Sequence, residues 1–370
     1  MKMAFLLFEY FPYGGLQRDM LAIAANALQR GHQITVFTRA WHGDDVGREG
    51  PEVHTLPSAA RGNHARDADF ARQVAGRLKG FDRVVGFNKM PGLDWYYAAD
   101  GCLAERYRGI KTLLPRYRSK LAMERAVFGP AASTGILSIS PPQKALYQHC
   151  YGTPEARFVT LPPGIRRDRI APPDHLSRRT TLRAELGISE VTPMLLFLGS
   201  GFRTKGLDRA LHTLAGLPDD TRLFVVGDDK AAPYQRLARR LGIEGRVHFM
   251  GGRDDVPTWL WTADLLVHPA YAENTGTVLL EAAIAGLPVL TTSACGYADY
   301  IRDAELGRVL EAPSPESLVA AARELLGLPR SVWRERSERF AAEADIFSLV
   351  DHAVDALEGE PRGISPEARQ

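Results

Sequence analysis

The sequence predicts an α/β protein made of two parallel-sheet domains, and three observations lead there. Short apolar runs alternate with segments of helical periodicity along almost the whole chain, the order expected of βαβ units. Its 370 residues are enough for two domains of ordinary size, each with its own core. Between residues 166 and 179 the alternation gives way to a polar, basic, proline-containing stretch suited to a domain junction. Composition adds bounds. With 45% hydrophobic and 24% charged residues the chain matches soluble globular averages. A net charge of +2 offers no whole-protein attraction to nucleic acid. Cys102, Cys150 and Cys295 are far apart and form no C-x-x-C pair, which favours a reducing compartment over zinc or a disulfide framework. No apolar run approaches about 18 residues, so no membrane span is expected. The N-terminus reads as a first strand and not as a signal peptide, which makes a cytoplasmic location the expectation.

Residues 3–8 are apolar and end at Tyr-Phe-Pro-Tyr-Gly-Gly, the pattern of a buried strand closing in a tight loop. Apolar residues then recur at helical spacing over 16–30, and Gly31 stops the helix. Residues 33–38 form the next strand. The loop of this βαβ unit carries Gly14 and Gly15, with Asp19 in the first helical turn; paired glycines let a backbone approach a ligand closely. No G-x-G-x-x-G follows a strand, which disfavours a dinucleotide loop. Further strands are expected at 84–87, at 96–100 with Asp100 at its end, and at 134–140.

Between Glu105 and Arg125 the composition changes. Arg106, Arg108, Lys111, Arg116, Arg118, Lys120 and Arg125 are interleaved with Tyr107, Leu113, Leu114, Tyr117, Leu121 and Met123, and only Glu105 and Glu124 oppose the charge. Such a segment suits an anionic membrane surface, each cation contributing about 1 kcal/mol. It also suits a solvated helix with its apolar side in the core. Pro115 divides it, which argues against one long amphipathic helix.

In the second half, residues 194–199 form a strand, and a loop ending in Lys205-Gly206 precedes a helix from Leu207. The loop lacks the Walker spacing. Strands at 223–227 and from 247, a short helix at 256–262, and a strand at 264–267 follow. Next comes HPAYAENTGTVLLEAAIAGLPVL, residues 268–290: a polar turn at Glu273-Asn274-Thr275-Gly276, a Leu/Ala helix stopped by Gly286 and Pro288, then a strand at 289–292. At roughly 100° per residue, Glu273 and Glu281 fall on nearly one helix face. The amides of Asn274, Thr275, Gly276 and Thr277 open from a helix N-terminus, which favours an anion such as phosphate. An acid at a helix start is commonly a cap. Glu281, however, stands in an apolar run, where a carboxylate needs partners such as sugar hydroxyls. A helix at 317–326 follows, and residues 359–370 are polar and Pro/Gly-containing, which predicts a disordered tail.

The Glu273/Glu281 spacing resembles the E-x7-E signature of the retaining glycosyltransferases of family 4, which have the two-domain GT-B fold. The runs FPYGGLQRD (11–19) and VVGFNKMPGLD (84–94) are similar to those of the lipopolysaccharide core glucosyltransferases in that family, and the resemblance covers nearly the whole chain. It implies two Rossmann-like domains facing a central cleft. Residues 1–163 would bind the acceptor and residues 164–345 the nucleotide sugar, with Pro162-Pro163-Gly164 marking the junction. The helices from Trp333 onward would return across the first domain, with a C-terminal helix within 346–370 packing on it.

The implied reaction moves glucose from UDP-glucose to the inner-core heptose of lipopolysaccharide with retention, without a cofactor or metal. By that resemblance Lys205 binds the donor diphosphate and Glu281 the ribose. Glu273 binds the transferred sugar, and Asn274, Thr275, Gly276 and Thr277 bind phosphate. Gly252 and Arg253 meet the base, and Gly14, Gly15 and Asp19 line the cleft. Asp100 stands near a position where relatives often carry histidine. Lys205, Glu273, Asp100 and Asp19 are therefore the candidate catalytic residues. Relatives often place an arginine about five residues before the lysine; Ser200 stands here, which leaves Arg203 or Arg169 as a second cation.

No carboxylate qualifies as a nucleophile for double displacement, so attack from the leaving-group face, assisted by the leaving phosphate, is expected. Asp67 and Asp69 form a D-A-D, but on a helix far from any nucleotide loop, so no metal site is expected. A membrane-bound acceptor tips segment 105–125 toward docking on the inner face of the inner membrane. Three alternatives stand beside this reading: another sugar donor or lipid acceptor, a GT-B sugar-nucleotide epimerase or hydrolase, or a non-catalytic sugar-binding protein.

Overall fold

A computed structural model describes residues 1–12, 14–43, 49–107 and 109–360. It divides into two compact units, Met1–Gly164 with the C-terminal segment from Ser348, and Ile165–Phe347. The predicted tail lies outside the described residues from 361 onward.

The first unit holds a parallel sheet of β1 (Lys2–Tyr10), β2 (Gln33–Trp41), β3 (Glu52–Thr55), β4 (Arg83–Gly86), β5 (Trp95–Ala98), β6 (Gly135–Ser138) and β7 (Phe158–Thr160), in the order β3-β2-β1-β4-β5-β6-β7. Every residue of β4, β5 and β6 is buried, as a parallel sheet covered on both faces requires. Alternate side chains of β1 feed two cores. Met3, Phe5 and Leu7 pack with Met20, Ile23 and Ala27 of the helix Gly15–Gln29, while Ala4 and Leu6 pack with Phe70, Val127 and Phe128. The helix Leu349–Glu358 completes the first of these cores with Leu349, Ala353, Val354 and Leu357, and Arg30 reaches its Asp355 at 2.5 Å. The helix Arg330–Glu343 does not return with it as expected. Its Trp333 and Phe340 are committed to the cores of the second unit.

The basic segment is broken into the helix Leu103–Arg106, a 3-10 turn Gly109–Leu113 and the helix Pro115–Phe128. Pro115 sits at the start of that last helix, where a missing amide is harmless. The expectation that Glu124 opposes the surface charge is corrected. Glu124 is 0% exposed: it accepts from Lys89 Nζ at 2.6 Å, from the Leu103 and Ala104 amides at 2.8 and 2.9 Å, and from the Tyr151 hydroxyl at 2.7 Å. Its charge is spent inside the fold. Arg106, Arg116, Arg118, Lys120 and Arg125 are exposed, together with Leu113 and Leu114, while Arg108 lies outside the described residues. Asp67 and Asp69 lie on the helix Asn63–Ala75, where Asp67 pairs with Arg39 at 2.7 Å and Asp69 accepts from Ser58 and Gln73.

The second unit holds a parallel sheet of β8 (Met194–Leu198), β9 (Arg222–Val226), β10 (Val247–Gly251), β11 (Leu265–His268), β12 (Val289–Thr292) and β13 (Gly307–Leu310), in the order β10-β9-β8-β11-β12-β13. β8, β11 and β12 are buried along their whole length. The strand order reverses between β8 and β11, which places the loops leaving these two strands side by side.

Removing one partner of a buried, hydrogen-bonded ion pair leaves the other charge uncompensated, which costs about 3–5 kcal/mol. Glu124→Ala is therefore expected to lower unfolding stability by that order in a denaturant titration, and a loss below about 1 kcal/mol would contradict the role given to this pair.

Candidate active site

Ligands of open parallel sheets gather beyond the carboxyl ends of the strands, where the strand order reverses. In the second unit that place is formed by the loop after β8, which contains Lys205, and the turn after β11, which contains Glu273. Two glycines permit the arrangement. Gly206 has φ +77°, and a β-carbon there would lie 2.2 Å from the Pro269 carbonyl oxygen, so only glycine lets the loop press against the turn. Gly276, at φ +81°, opens the helix Thr277–Ile284, which no side chain caps. The turn is fixed from outside by Arg209, which lies 3.6 Å over the Tyr271 ring and donates to the Pro269 and Ala270 carbonyls at 3.1 and 3.2 Å. The Tyr271 amide in turn donates to Thr204 O at 2.8 Å.

Within this frame Lys205 Nζ donates to Glu273 Oε2, each side chain being 19% exposed. Burial alone would raise the Glu273 carboxyl; His268 and Lys205 reverse that and hold it at about 2. His268, the last residue of β11, is 0% exposed, with Nε2 3.6 Å from the same Glu273 oxygen. Burial, with Lys205 adding to it, lowers the imidazole below its ordinary value, so His268 is neutral at neutral pH. Behind it, Thr291 Oγ1 donates to the His268 carbonyl at 3.0 Å and lies 3.3 Å from Cys295 Sγ, whose thiol burial pushes up to about 11.

Glu281 is only 14% exposed and faces Arg169 Nε at 3.4 Å. Arg169 also donates to Asp168 at 3.0 Å, and its carbonyl accepts from Trp261 Nε1 at 3.0 Å. The helical alignment expected for the two acids does not apply, because Glu273 lies ahead of Thr277–Ile284 in a β-bridge with Cys295. Each acid has its own cation instead. Of the two arginines considered for a second cation, Arg169 is thus occupied by carboxylates. Arg203 is exposed and makes no hydrogen bond or ion pair among the described residues. Asn274, Thr275 and Thr277 are half-buried around the buried Gly276. Arg253 forms a two-point pair with Asp255 at 2.9 and 2.8 Å, and Gly252 beside it is exposed.

The first unit holds the remaining candidates separately. A β-carbon on Gly15 would have nothing nearer than Arg18 Nη2 at 4.0 Å, whereas one on Gly14 would collide with Gln17 and Phe11. Only Gly15 therefore leaves open backbone. Asp19 is half-buried and accepts from the Tyr97 hydroxyl at 2.7 Å; burial raises its carboxyl, while Tyr97 and Arg18 pull the other way. Asp100 lies two residues beyond β5, where desolvation raises its carboxyl while Lys89 pulls the other way, and its carbonyl accepts from the Tyr147 hydroxyl at 2.7 Å. His268 was not singled out from sequence. The only signal was its place, a polar residue ending an apolar strand just ahead of the acidic turn.

Comparison with known proteins bears on this arrangement. Residues 13–169 match the profile of Glycosyltransferase Family 4, and residues 178–345 that of Glycosyl transferases group 1. The chain is 44% identical over 372 residues to the lipopolysaccharide glucosyltransferase WaaG of Escherichia coli (strain K12), a match covering 97% of this chain and 99% of that protein. It is 28% identical over 378 residues to a D-inositol 3-phosphate glycosyltransferase of Mycolicibacterium paratuberculosis, covering 93% and 84%. The crystal structure of WaaG, a glycosyltransferase involved in lipopolysaccharide biosynthesis, superposes with a TM-score of 0.88 over 96% of this chain and 100% of its own. Anabaena Alr3699/HepE in complex with UDP and glucose superposes at 0.76 over 97% and 99% with 18% identity, a likeness of fold alone. With two parallel-sheet units, both family profiles and a full-length relative at 44% identity, this chain belongs to glycosyltransferase family 4 and has the GT-B fold.

Proposed function

We propose that this protein transfers glucose from UDP-glucose to the inner-core heptose of lipopolysaccharide, with retention at the anomeric carbon. The observation that carries this reading is the Lys205–Glu273 pair at the strand-order reversal of the second sheet, in a chain 44% identical to a lipopolysaccharide glucosyltransferase. The chemistry requires a stabilised diphosphate leaving group and an oxocarbenium-like centre held beside an acceptor hydroxyl. Lys205, drawn from Glu273, supplies a compact positive charge to the diphosphate, and the uncapped amides opening Thr277–Ile284 supply further donors. Arg203 is the second cation favoured here, since Arg169 is engaged by Glu281 and Asp168. Charge is thereby met by side chains and amides, and no metal is required. Glu281, oriented by Arg169, accepts from the ribose hydroxyls, and Glu273 from the hydroxyls of the transferred glucose. Gly252 and Arg253 remain the residues assigned to the base.

In the step itself the bond from the anomeric carbon to the diphosphate oxygen breaks, and the bond to the acceptor oxygen forms on the same face. The acceptor proton passes to the leaving diphosphate oxygen. Gly15 and Asp19 of the first unit are assigned to the acceptor side, with Gly14 shaping their loop and Asp100 the further acid there.

No helix among the described residues is long and apolar enough to cross a membrane. The proposed route to a lipid-linked acceptor is therefore docking at the cytoplasmic face of the inner membrane through segment 105–125. With Glu124 turned inward, the exposed Arg106, Arg116, Arg118, Lys120 and Arg125 stand in one segment with the exposed Leu113 and Leu114, an arrangement that favours an anionic bilayer.

Purified protein given a panel of labelled nucleotide sugars and truncated lipopolysaccharide is expected to move label into lipid from UDP-glucose alone; consumption of donor without lipid labelling would overturn the transfer reading. Lys205→Ala and Glu281→Ala are each expected to reduce kcat/KM by at least about tenfold, roughly 1.4 kcal/mol, and near-wild-type kinetics in both would remove the donor assignment. In vesicle co-sedimentation, binding should require anionic lipid and fall when Arg116, Arg118, Lys120 and Arg125 become Gln. Equal binding to neutral vesicles would sink the docking surface.

A further inference from the structure

The donor reading gives one buried group beside the site no part in binding. His268 is fully buried, and neither ring nitrogen has a partner within 3.5 Å among the described residues, Glu273 Oε2 standing just beyond at 3.6 Å from Nε2. Burying an imidazole with both nitrogens unsatisfied is unfavourable, and such a group in a native fold calls for a reason. The ring is stacked on Phe197 of β8, centroids 6.3 Å apart and planes 20° apart, and its Nε2 is aimed at Glu273 Oε2 from 3.6 Å. That oxygen is the one Lys205 holds. Lys205 and His268 therefore flank a single carboxylate oxygen, one from the more open side and one from the interior.

This geometry has a consequence for donor binding, and the inference rests on the proposed function. Lys205 is the only lysine or arginine paired with Glu273 among the described residues. A diphosphate that recruits Lys205 removes that cation from a carboxylate that stays largely buried. Glu273 must then find another positive charge or take up a proton, and a protonated Glu273 would give up its charge and part of its acceptor capacity toward the transferred sugar. We propose that His268 is a positioning residue that succeeds Lys205 as the cation beside Glu273, taking a proton from solvent when the diphosphate draws Lys205 away. The imidazolium then donates from Nε2 to Glu273 Oε2 and keeps the carboxylate ionised and aimed.

The surroundings support the direction. The titratable groups facing His268 are Glu273 from the turn, Lys205 from the β8 loop and, past Thr291, Cys295 from beyond β12, which stays a neutral thiol. In the free protein, burial and Lys205 both hold His268 below its usual value. Moving Lys205 onto a dianionic diphosphate removes one of these and leaves Glu273 unopposed, so the histidine's affinity for a proton rises on binding. A group whose proton affinity is higher in the complex makes binding take up a proton. Affinity for the donor then falls as pH rises between the free and bound values.

Isothermal titration of UDP-glucose into the full chain, in buffers of different ionisation enthalpy between pH 6 and 8.5, reads this directly; this ligand does not itself titrate there. The wild-type protein is expected to take up a fraction of one proton per donor bound, with affinity falling by up to about tenfold per pH unit on the alkaline side. His268→Gln, which hydrogen-bonds without titrating, is expected to bind UDP-glucose with no proton uptake and a flatter pH profile. Its kcat should fall more than its KM rises, because Glu273 loses its aim in the reacting complex. Absence of proton uptake in the wild type, or equal uptake in His268→Gln, would overturn the role of His268 alone. Absence of UDP-glucose binding would overturn the donor reading and this inference with it. A purely structural role for His268 would weaken binding equally at every pH, and that outcome also contradicts the proposal.

Discussion

The second unit depends on one constraint: β11 pairs with β8 although β9 and β10 lie between them in sequence. Hydrogen bonding of these two buried strands, Leu265 beside Leu195 and Leu266 beside Leu196, sets two loops against each other at one sheet end. Everything chemical in this unit follows. Gly206 yields the space, Pro269 fills it, and Lys205 meets Glu273 across the seam. Without that register the two residues would be ordinary solvated surface charges, and a solvated pair is worth little. Partial burial changes this, since a carboxylate that burial alone would raise is instead held at about 2.

The same logic separates the two acids of the 273/281 spacing. Glu273 belongs to the seam and is compensated by Lys205. Glu281 belongs to the helix and is compensated by Arg169, itself held by Asp168 and anchored by Trp261. Under the proposed donor reading, two acids with two cations can respond independently to two parts of a nucleotide sugar, the sugar diphosphate at one and the ribose at the other. In the first unit a comparable economy operates at Glu124. Its carboxylate gathers two amides, a lysine and a tyrosine, and leaves the neighbouring surface cations without that acid to oppose them.

Much of the fold was legible because its strands are buried on both faces and so appear as uninterrupted apolar runs. Residues 289–292 read as a strand and form β12, and the periodic segment 16–30 forms the helix Gly15–Gln29. The edge strands β3 and β13 escaped, since Glu52–Thr55 is largely exposed, Gly307–Leu310 is only half-buried, and neither carries an apolar run. In the site, residue types were legible and partnerships were not. Lys205 and Glu273 each stood out locally, but their contact is a property of strand order. Glu124 looked like a surface acid because its sequence neighbours are basic; its burial comes from Lys89, which is distant in sequence. His268 looked like the end of a strand, and only the fold shows it aimed at a carboxylate.

On the proposed reading, a nucleotide-sugar diphosphate takes Lys205 away from Glu273 at the seam between the β8 and β11 loops. A crystal structure of the protein with UDP-glucose measures this most directly. A diphosphate oxygen is expected within about 3 Å of Lys205 Nζ, beside the amides that open the helix Thr277–Ile284, with Glu273 turned to the sugar. A diphosphate bound elsewhere, with the Lys205–Glu273 pair intact, would contradict it.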